Sequence, residues 1–156
     1  MRDEDLMRLA IDKTREGIAA GQSPFGSVIV KAGKVVAATH NTVWRTCDPT
    51  AHAEVNCIRQ AAITLRLIDL HGCELFSTTE PCPMCMSAIH WAKIDRVVYG
   101  ATIGDAADAG FCELYVPAKD LVAMGKSPVK VESGLLRAEC AALFAEWKKA
   151  GLCEAY

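Results

Sequence analysis

The sequence lacks a surplus of charge of either sign, since 17 lysines and arginines stand against 19 aspartates and glutamates. A protein that holds a long polynucleotide usually carries a basic surplus or a basic stripe, because it has to neutralise phosphates. The longest basic run is Lys148-Lys149, which is typical of a solvated helix face. The charge balance therefore argues against a nucleic-acid partner and favours a small, weakly charged substrate.

Long apolar runs are missing as well. No stretch reaches the roughly 18 continuous apolar residues that a membrane span requires, which argues against a membrane partner. The acidic start, Met1-Arg2-Asp3-Glu4-Asp5, leads into an amphipathic pattern and does not resemble a secretory signal. Without repeats, low-complexity tracts or linkers, the 156 residues fit a single domain over 1–156, and we expect it to be cytoplasmic.

Eight cysteines are present, and a cytoplasmic setting changes what they indicate. In a short secreted chain an even number of cysteines predicts a disulfide framework. Cytoplasmic thiols stay reduced and either bind metal or pack as small apolar side chains. Only Cys82 and Cys85 stand at the spacing of a metal-ligand pair, so the sequence predicts a metal-binding role for these two.

The apolar pattern predicts helices and strands that alternate in the middle of the chain. Two short apolar runs around the turn Ala32-Gly33-Lys34 predict a hairpin, and Asp48-Pro49-Thr50 is typical of a helix start. The predicted helices are 6–20, 51–65, 81–93 and 135–149, and the predicted strands are 25–30, 35–39, 73–77, 96–101 and 129–132, with a polar loop at 41–48. This alternation indicates an α/β sandwich with some parallel strand pairing.

Two fragments at predicted helix starts carry chemistry: His52-Ala53-Glu54 and Pro81-Cys82-Pro83-Met84-Cys85. Because Cys82 and Cys85 are three residues apart, their side chains face the same side of a helical turn and can hold one zinc ion. A catalytic zinc has three protein ligands and an open position for water, and His52 is the natural third ligand. Glu54 then stands near the metal without binding it, where a carboxylate can act as general base and acid.

Three alternatives stay open at this point. A closed structural zinc site would need a fourth ligand from Cys57, Cys73 or His90, and it would leave Glu54 without a role. A non-catalytic, zinc-stabilised binding module would leave Glu54 unused too. A thiol–disulfide oxidoreductase would use the two cysteines of the Cys-x-x-Cys fragment but would leave the His-x-Glu fragment unexplained.

The order His-x-Glu and then Pro-Cys-x-x-Cys is the signature of zinc nucleobase deaminases. The chain resembles the cytidine-deaminase-like superfamily over nearly its whole length, and within it the bacterial guanine deaminases. Four segments carry the resemblance: Pro24-Phe25-Gly26, 48–54, 80–85 and 105–111. The tRNA adenosine deaminases usually have a Lys-Gly-Gly type of sequence in place of the last segment. The resemblance implies a three-layer α/β/α sandwich with a mixed five-stranded sheet, one zinc per chain, and a homodimer whose C-terminal tail can cross to the partner.

The resemblance also implies a purine pocket. Phe25 and Trp91 would line the space for the base, and Asn41 would hydrogen-bond it. Ala53 would belong to the same substrate site, and Tyr156 would cover the base from the end of the chain. Without the resemblance, core packing, a turn cap or a frayed terminus would account for these side chains.

A second acid is implied at Glu113, where some relatives have aspartate; it would relay a proton to the departing amine. The implied reaction is the hydrolysis of guanine to xanthine and ammonia, in which Glu54 moves the proton of the attacking water to the ring. Deamination of guanosine, cytosine or a tRNA adenosine uses the same zinc chemistry, so the motifs leave the base open.

Overall fold

A central sheet with the strand order β2-β1-β3-β4-β5 organises the computed structural model, which describes residues 1–156. The strands are β1 (Gly26–Lys31), β2 (Lys34–His40), β3 (Cys73–Thr79), β4 (Arg96–Ala101) and β5 (Lys130–Ser133). The helices are α1 (Asp3–Ala19), α2 (Val43–Thr46), α3 (Ala53–Leu65), α4 (Pro83–Trp91), α5 (Ile103–Asp108), α6 (Ala118–Met124) and α7 (Arg137–Ala150). None of these helices combines the length and the apolar character that crossing a membrane requires.

Each face of the sheet is covered by helices because successive side chains of a strand point to opposite faces. Val28 and Val98 pack in one core with α1 and α7, while Ile29 and Val97 pack in a second core with α3 and α4. The predicted three-layer α/β/α sandwich with a mixed five-stranded sheet is therefore confirmed.

Strand directions bring several chain ends to one edge of the sheet. β1 pairs antiparallel with β2 and β3, whereas β4 pairs parallel with β3 and β5. It follows that β2, β3 and β4 all end at the edge where β1 begins. The segments after β2, β3 and β4 are the ones that carry the two motifs and Glu113. In open α/β sheets, ligands bind at this carboxyl edge.

Gly26, in the segment Pro24-Phe25-Gly26, has a structural role. A Cβ atom at this position would overlap the carbonyl oxygen of Ala10 and the Oγ1 atom of Thr14 in α1. The backbone nitrogen of Gly26 also donates to Oγ1 of Thr78 in β3 at 3.2 Å. Only glycine allows α1 to lie this close to the start of β1, directly after Phe25.

Arg96 fixes the opposite, amino end of β4. Its guanidinium donates to Asp3 of α1 at 2.6 Å, to Glu74 of β3 at 2.6 Å and to Glu132 of β5 at 2.7 Å. One side chain therefore joins the first helix to both strands that flank β4. Since a guanidinium presents five donors in a fixed plane, a lysine could not make this set of contacts.

The bounds of the four predicted helices differ from the observed bounds by up to three residues, and three short helices were not predicted. The helix predicted from Ala51 begins at Ala53, because Asp48 caps a tight turn by accepting from the nitrogen and hydroxyl of Thr50 at 2.8 and 2.7 Å. The predicted loop 41–48 contains the short helix α2. Helices α5 and α6 were missed, because elements of six and seven residues are too short to show an apolar period.

Candidate metal centre and adjoining pocket

His52 and Cys82 occupy equivalent positions in the fold. Each is the residue immediately before a helix, α3 for His52 and α4 for Cys82, and each has an extended backbone. Cys85 follows one turn into α4 and is fully buried. Two helix starts at the same sheet edge thus point an imidazole and two thiols at one another.

The distances between these donor atoms fit one zinc ion. Nδ1 of His52 lies 3.7 Å from Sγ of Cys82 and 3.5 Å from Sγ of Cys85. The three donor atoms lie within 4.8 Å of one another. Ligands placed tetrahedrally at Zn–S ≈ 2.3 Å and Zn–N of about 2.05 Å would be roughly 3.5–3.8 Å apart. The three residues therefore form a zinc site with one protein ligand fewer than a closed structural site.

The two thiols of the site have opposite pKa shifts. The pKa of Cys82 is held well below its ordinary value, because the Cys85 thiol hydrogen-bonds the Cys82 thiolate and the nearby His52 adds to the effect. The pKa of Cys85 is raised, since it is the donor in that hydrogen bond and is buried. A bound divalent metal removes this difference between the two thiols, because coordination deprotonates a thiol outright.

Glu54 lies beside this site and has a different set of partners. Its carboxylate is 6 % exposed, its Oε1 atom accepts from the Ser77 hydroxyl at 3.2 Å, and its Oε2 atom accepts from the Cys85 thiol at 3.5 Å. Burial raises the pKa of Glu54, opposed by the charge of His52. A buried carboxyl with a raised pKa, oriented by a neighbouring hydroxyl, has the properties of a general base and acid.

A cavity of ≈ 210 Å³ opens directly beside His52 and Cys82. The residues that line it come from positions distant in the sequence, which the sheet edge brings together. The lining residues are Phe25, Pro49, His52, Cys82, Pro83, Met84, Phe111, Cys112, Glu113, Leu114 and Tyr156. The predicted residues Phe25, Glu113 and Tyr156 are therefore brought to the same pocket as the metal site.

Glu113 enters this pocket from the loop between α5 and α6. Its buried Oε2 atom has no hydrogen-bond partner in the protein. Burial raises the pKa of Glu113 to about 8, and the negative charges of Cys82 and Glu54 add to the effect. The raised pKa favours the protonated form of the carboxyl, which is able to donate a proton.

Tyr156 folds over the site of its own chain. Its hydroxyl accepts a hydrogen bond from Nδ2 of Asn41 at 2.9 Å, and its ring meets the rings of His52 and Phe111 edge-on at 6.1 and 5.9 Å. Its carbonyl accepts from the nitrogen of Cys112 at 3.2 Å. These contacts hold the tail in place within one chain; exchange of the tail with a partner stays a prediction.

Asn41 and Ala53 lie behind the pocket wall. Asn41 is fully buried, and its Oδ1 atom caps the start of α2 by accepting from the nitrogen of Val43 at 3.0 Å. Ala53 is fully buried as well, and its carbonyl accepts from the Thr39 hydroxyl at 2.8 Å. Both are close neighbours of site residues, but neither is among the residues that line the cavity.

Trp91, which was predicted to line the base pocket, lies outside the cavity beside His52 in the single chain, and its role in the base pocket stays a prediction. Trp91 is the last residue of α4 and is 82 % exposed. It borders a different cavity, together with Leu121 and Val122. A helix rises ~1.5 Å per residue, so Trp91 lies about 9 Å along the axis from Cys85, at the end of α4 that points away from the metal site.

Sequence reasoning missed Ser77 and Phe111. Ser77 lies on the same face of β3 as the core residue Leu75, so a polar residue in an apolar face was the available signal. Phe111 was part of a segment used for the resemblance, but only the structure shows its ring 4.9 Å from that of Phe25.

Comparison with known proteins places this site in a family. Residues 1–101 match the profile of the cytidine and deoxycytidylate deaminase zinc-binding region. The chain belongs to this family of zinc-dependent deaminases. The class that the fold and the site define is thus a zinc hydrolase that removes an amino group from a base.

Two curated relatives and one solved structure indicate which members of the deaminase family this chain is similar to. A guanine deaminase of Bacillus subtilis is 44 % identical over 117 residues, which cover 74 % of this chain and 75 % of the relative. A tRNA-specific adenosine deaminase of Aquifex aeolicus is 38 % identical over 101 residues, covering 65 % and 67 %. The structure of guanine deaminase from Nitrosomonas europaea is 29 % identical with a TM-score of 0.87, covering 95 % of this chain and 85 % of the other.

Proposed function

We propose that this protein converts guanine and water into xanthine and ammonia. The observation that supports this most directly is the position of the C-terminal residue. Tyr156 closes over the pocket beside His52 and is tied to the buried Asn41. The cavity of ≈ 210 Å³ is below the roughly 300–1,000 Å³ of pockets for drug-sized ligands. A free base suits such a site better than a nucleotide within a polymer.

Two further observations favour guanine within the family. The guanine deaminase of Bacillus subtilis is more similar to this chain than the tRNA-specific adenosine deaminase of Aquifex aeolicus, over a longer stretch. The chain also has a formal net charge of −2. A tRNA substrate would call for a basic surface to meet its phosphates.

The reaction adds water to C2 of the base and releases the exocyclic amine as ammonia. Zinc, when bound by His52, Cys82 and Cys85, supplies water activated for attack at neutral pH. Glu54 takes a proton from the attacking water and delivers it to the ring nitrogen next to C2. The Ser77 hydroxyl holds one oxygen of Glu54, so the other oxygen is the one that moves the proton.

Glu113 completes the proton transfers from the other wall of the pocket. Loss of the amine requires a proton on its nitrogen, which the Glu113 carboxyl can supply, and the proton that the C2 hydroxyl loses as the carbonyl forms restores that carboxyl. The edge-on rings of Phe25 and Phe111 form an apolar wall that excludes water from the base. Each of these roles is part of the proposal.

The second candidate is deamination of adenosine in a tRNA, which the similarity to tRNA-specific adenosine deaminases favours. It requires the tail residue Tyr156 to leave its place above the pocket. A non-catalytic zinc module is the third candidate, and it gives no role to the buried pair Glu54 and Ser77.

Ammonia release by zinc-loaded protein distinguishes the candidates. Guanine, guanosine, cytosine, adenine and a tRNA anticodon stem-loop with a target adenosine are offered separately. We expect turnover of guanine alone. Turnover of the stem-loop without guanine would refute the proposed substrate and leave the deaminase chemistry in place. If the zinc-bound protein releases ammonia from none of these compounds, the result would favour the binding module.

We also propose that the active species is a cytoplasmic homodimer of a single domain. The expectation of a dimer comes from the resemblance to the cytidine-deaminase-like superfamily. Sedimentation equilibrium of the purified protein tests the dimer: a mass near twice 16.8 kDa is expected, and a monomer at micromolar concentration would contradict it.

A further inference from the structure

Glu80 is a buried carboxyl that the reaction above does not use. It follows β3 directly and stands two residues before Cys82. Its side chain is in the core, with the residue 5 % exposed. Its backbone nitrogen donates to the carbonyl of Ala101 at 2.8 Å, which fixes Glu80 where β3 and β4 end side by side.

The two oxygens of Glu80 have two different backbone partners. Oε2 accepts from the nitrogen of Ile103 at 2.9 Å, and Oε1 accepts from the nitrogen of Ala118 at 2.8 Å. Ile103 is the first residue of α5, and Ala118 is the first residue of α6. One carboxylate therefore holds both ends of the segment 103–118.

That segment contains the acidic wall of the pocket. Residues 109–117, between α5 and α6, have no regular secondary structure and include Phe111 and Glu113. The buried Oε2 atom of Glu113 accepts no hydrogen bond from the protein. Since no protein donor orients this oxygen, the backbone of the loop sets the direction of the Glu113 side chain.

We propose that Glu80 is a positioning residue for Glu113. By binding Ile103 and Ala118 with one carboxylate, it fixes the two ends of the loop and so the distance of Glu113 from the reacting amine. The proposal rests on the proposed function, since it assumes that Glu113 protonates that amine. It also gives a role to a buried carboxylate beside the metal ligands that is not among the residues lining the pocket.

Asp105 provides a matched control because it also caps α5. Its Oδ2 atom accepts from the nitrogen and hydroxyl of Thr102 at 2.8 and 3.0 Å, and Thr102 in turn accepts from the nitrogen of Asp105. Asp105→Asn weakens this capping box but leaves both bonds of Glu80 in place. A general loss of stability around α5 would thus appear in both variants, whereas misplacement of Glu113 would appear only when Glu80 is changed.

The test uses Glu80→Gln, Glu113→Gln and the double variant, with Asp105→Asn as the control. Glutamine has the shape of glutamate but one acceptor oxygen, so it can keep only one of the two backbone bonds. We expect Glu80→Gln to retain one zinc per chain and to lose about tenfold or more in kcat on guanine, with little change in KM. In the Glu113→Gln background we expect the same change to cost less than about twofold, because its effect passes through Glu113. Asp105→Asn should keep the kcat of the unchanged protein.

Hydrogen exchange gives a readout that does not depend on the substrate. We expect Glu80→Gln to increase amide exchange over 109–117 and to leave the first turns of α3 and α4 protected. Three outcomes would overturn the proposal. Glu80→Gln could cost the same kcat in the unchanged protein and in the Glu113→Gln background, it could lose zinc, or it could leave the exchange over 109–117 unchanged.

The proposed function can fail separately, through absence of guanine turnover or through full activity of Glu113→Gln. In that event the exchange over 109–117 still decides whether Glu80 holds the loop. If Glu80→Gln does not fold, Glu80→Asp is measured in the same way, since it keeps the charge but is too short to reach both nitrogens.

Discussion

The metal ligands project from the starts of two helices, whereas the opposite wall of the pocket comes from an irregular loop and from the end of the chain. His52, Cys82 and Cys85 are fixed by helices that each pack against the sheet. Glu113 and Tyr156 depend on contacts between segments far apart in sequence. We call His52, Cys82 and Cys85 the metal wall, which local structure holds in place. We call Glu113 and Tyr156 the second wall, which depends on tertiary contacts. We expect the two walls to respond differently to substitution.

Cys82→Ala should have the largest effect, because it removes one of three metal ligands. We expect loss of stoichiometric zinc and of all measurable ammonia release, since the remaining imidazole and thiol form an incomplete site. Zinc content is measured by atomic emission on dialysed protein. Cys47→Ser, which changes an exposed thiol that is not one of the three ligands, is the control and should retain zinc. Stoichiometric zinc in Cys82→Ala would refute the ligand assignment.

Glu54→Gln should separate metal binding from proton transfer on the same wall. The change keeps the shape of the side chain and the contact with Ser77 but removes the base. We expect one zinc per chain and a fall in kcat of about 10²–10⁴-fold, the range of general acid–base catalysis. Glu16→Gln, at an exposed ion pair with Lys13, is the matched control. Near-normal turnover by Glu54→Gln would rule out the proposed mechanism.

The metal wall could be predicted from the sequence because its information is local. The spacing of Cys82 and Cys85 fixes their common side of a helical turn before any tertiary structure is known. The Glu54 role follows from a second short fragment. All five strands were also placed within two residues of their observed bounds, since β-branched runs and turns mark them.

The second wall could not be predicted from residue patterns in the same way. Nothing in the sequence near Tyr156 indicates that its hydroxyl meets Asn41, 115 residues earlier. Phe25, Glu113 and Tyr156 were placed in the pocket through resemblance alone, and Trp91, which the same resemblance placed there, is exposed in the single chain. Contacts of this kind depend on where the sheet edge brings the chain, which short motifs do not specify.

Tyr156→Phe tests the second wall at a single atom. It removes the hydroxyl that accepts from Nδ2 of Asn41 and leaves that buried donor with one partner fewer. A lost hydrogen bond of about 1 kcal/mol corresponds to roughly fivefold in affinity. We expect the KM for guanine to rise by about this factor, with a smaller change in kcat. Tyr115→Phe, in an exposed ring, is the control. An unchanged KM would show that the tail does not help to close the site over the base.

Glu113→Gln should have the smallest effect on the fold, and its sign depends on pH. The pKa of Glu113 is raised by burial from 4.5 to about 8, so the folded protein binds this proton more tightly than the unfolded chain. The resulting stability is fully present below about pH 4.5 and is lost as the pH rises through about 8. Glutamine resembles the neutral acid and cannot ionise.

With both proteins free of metal, the melting temperature of Glu113→Gln should therefore increase relative to that of the unchanged protein between about pH 5 and about pH 9. A difference that stays constant with pH would mean that the loop moves the carboxyl into water when it ionises. In that case the second wall would be mobile on the scale of the whole loop, and the contrast with the rigid metal wall would be larger than the structure alone indicates.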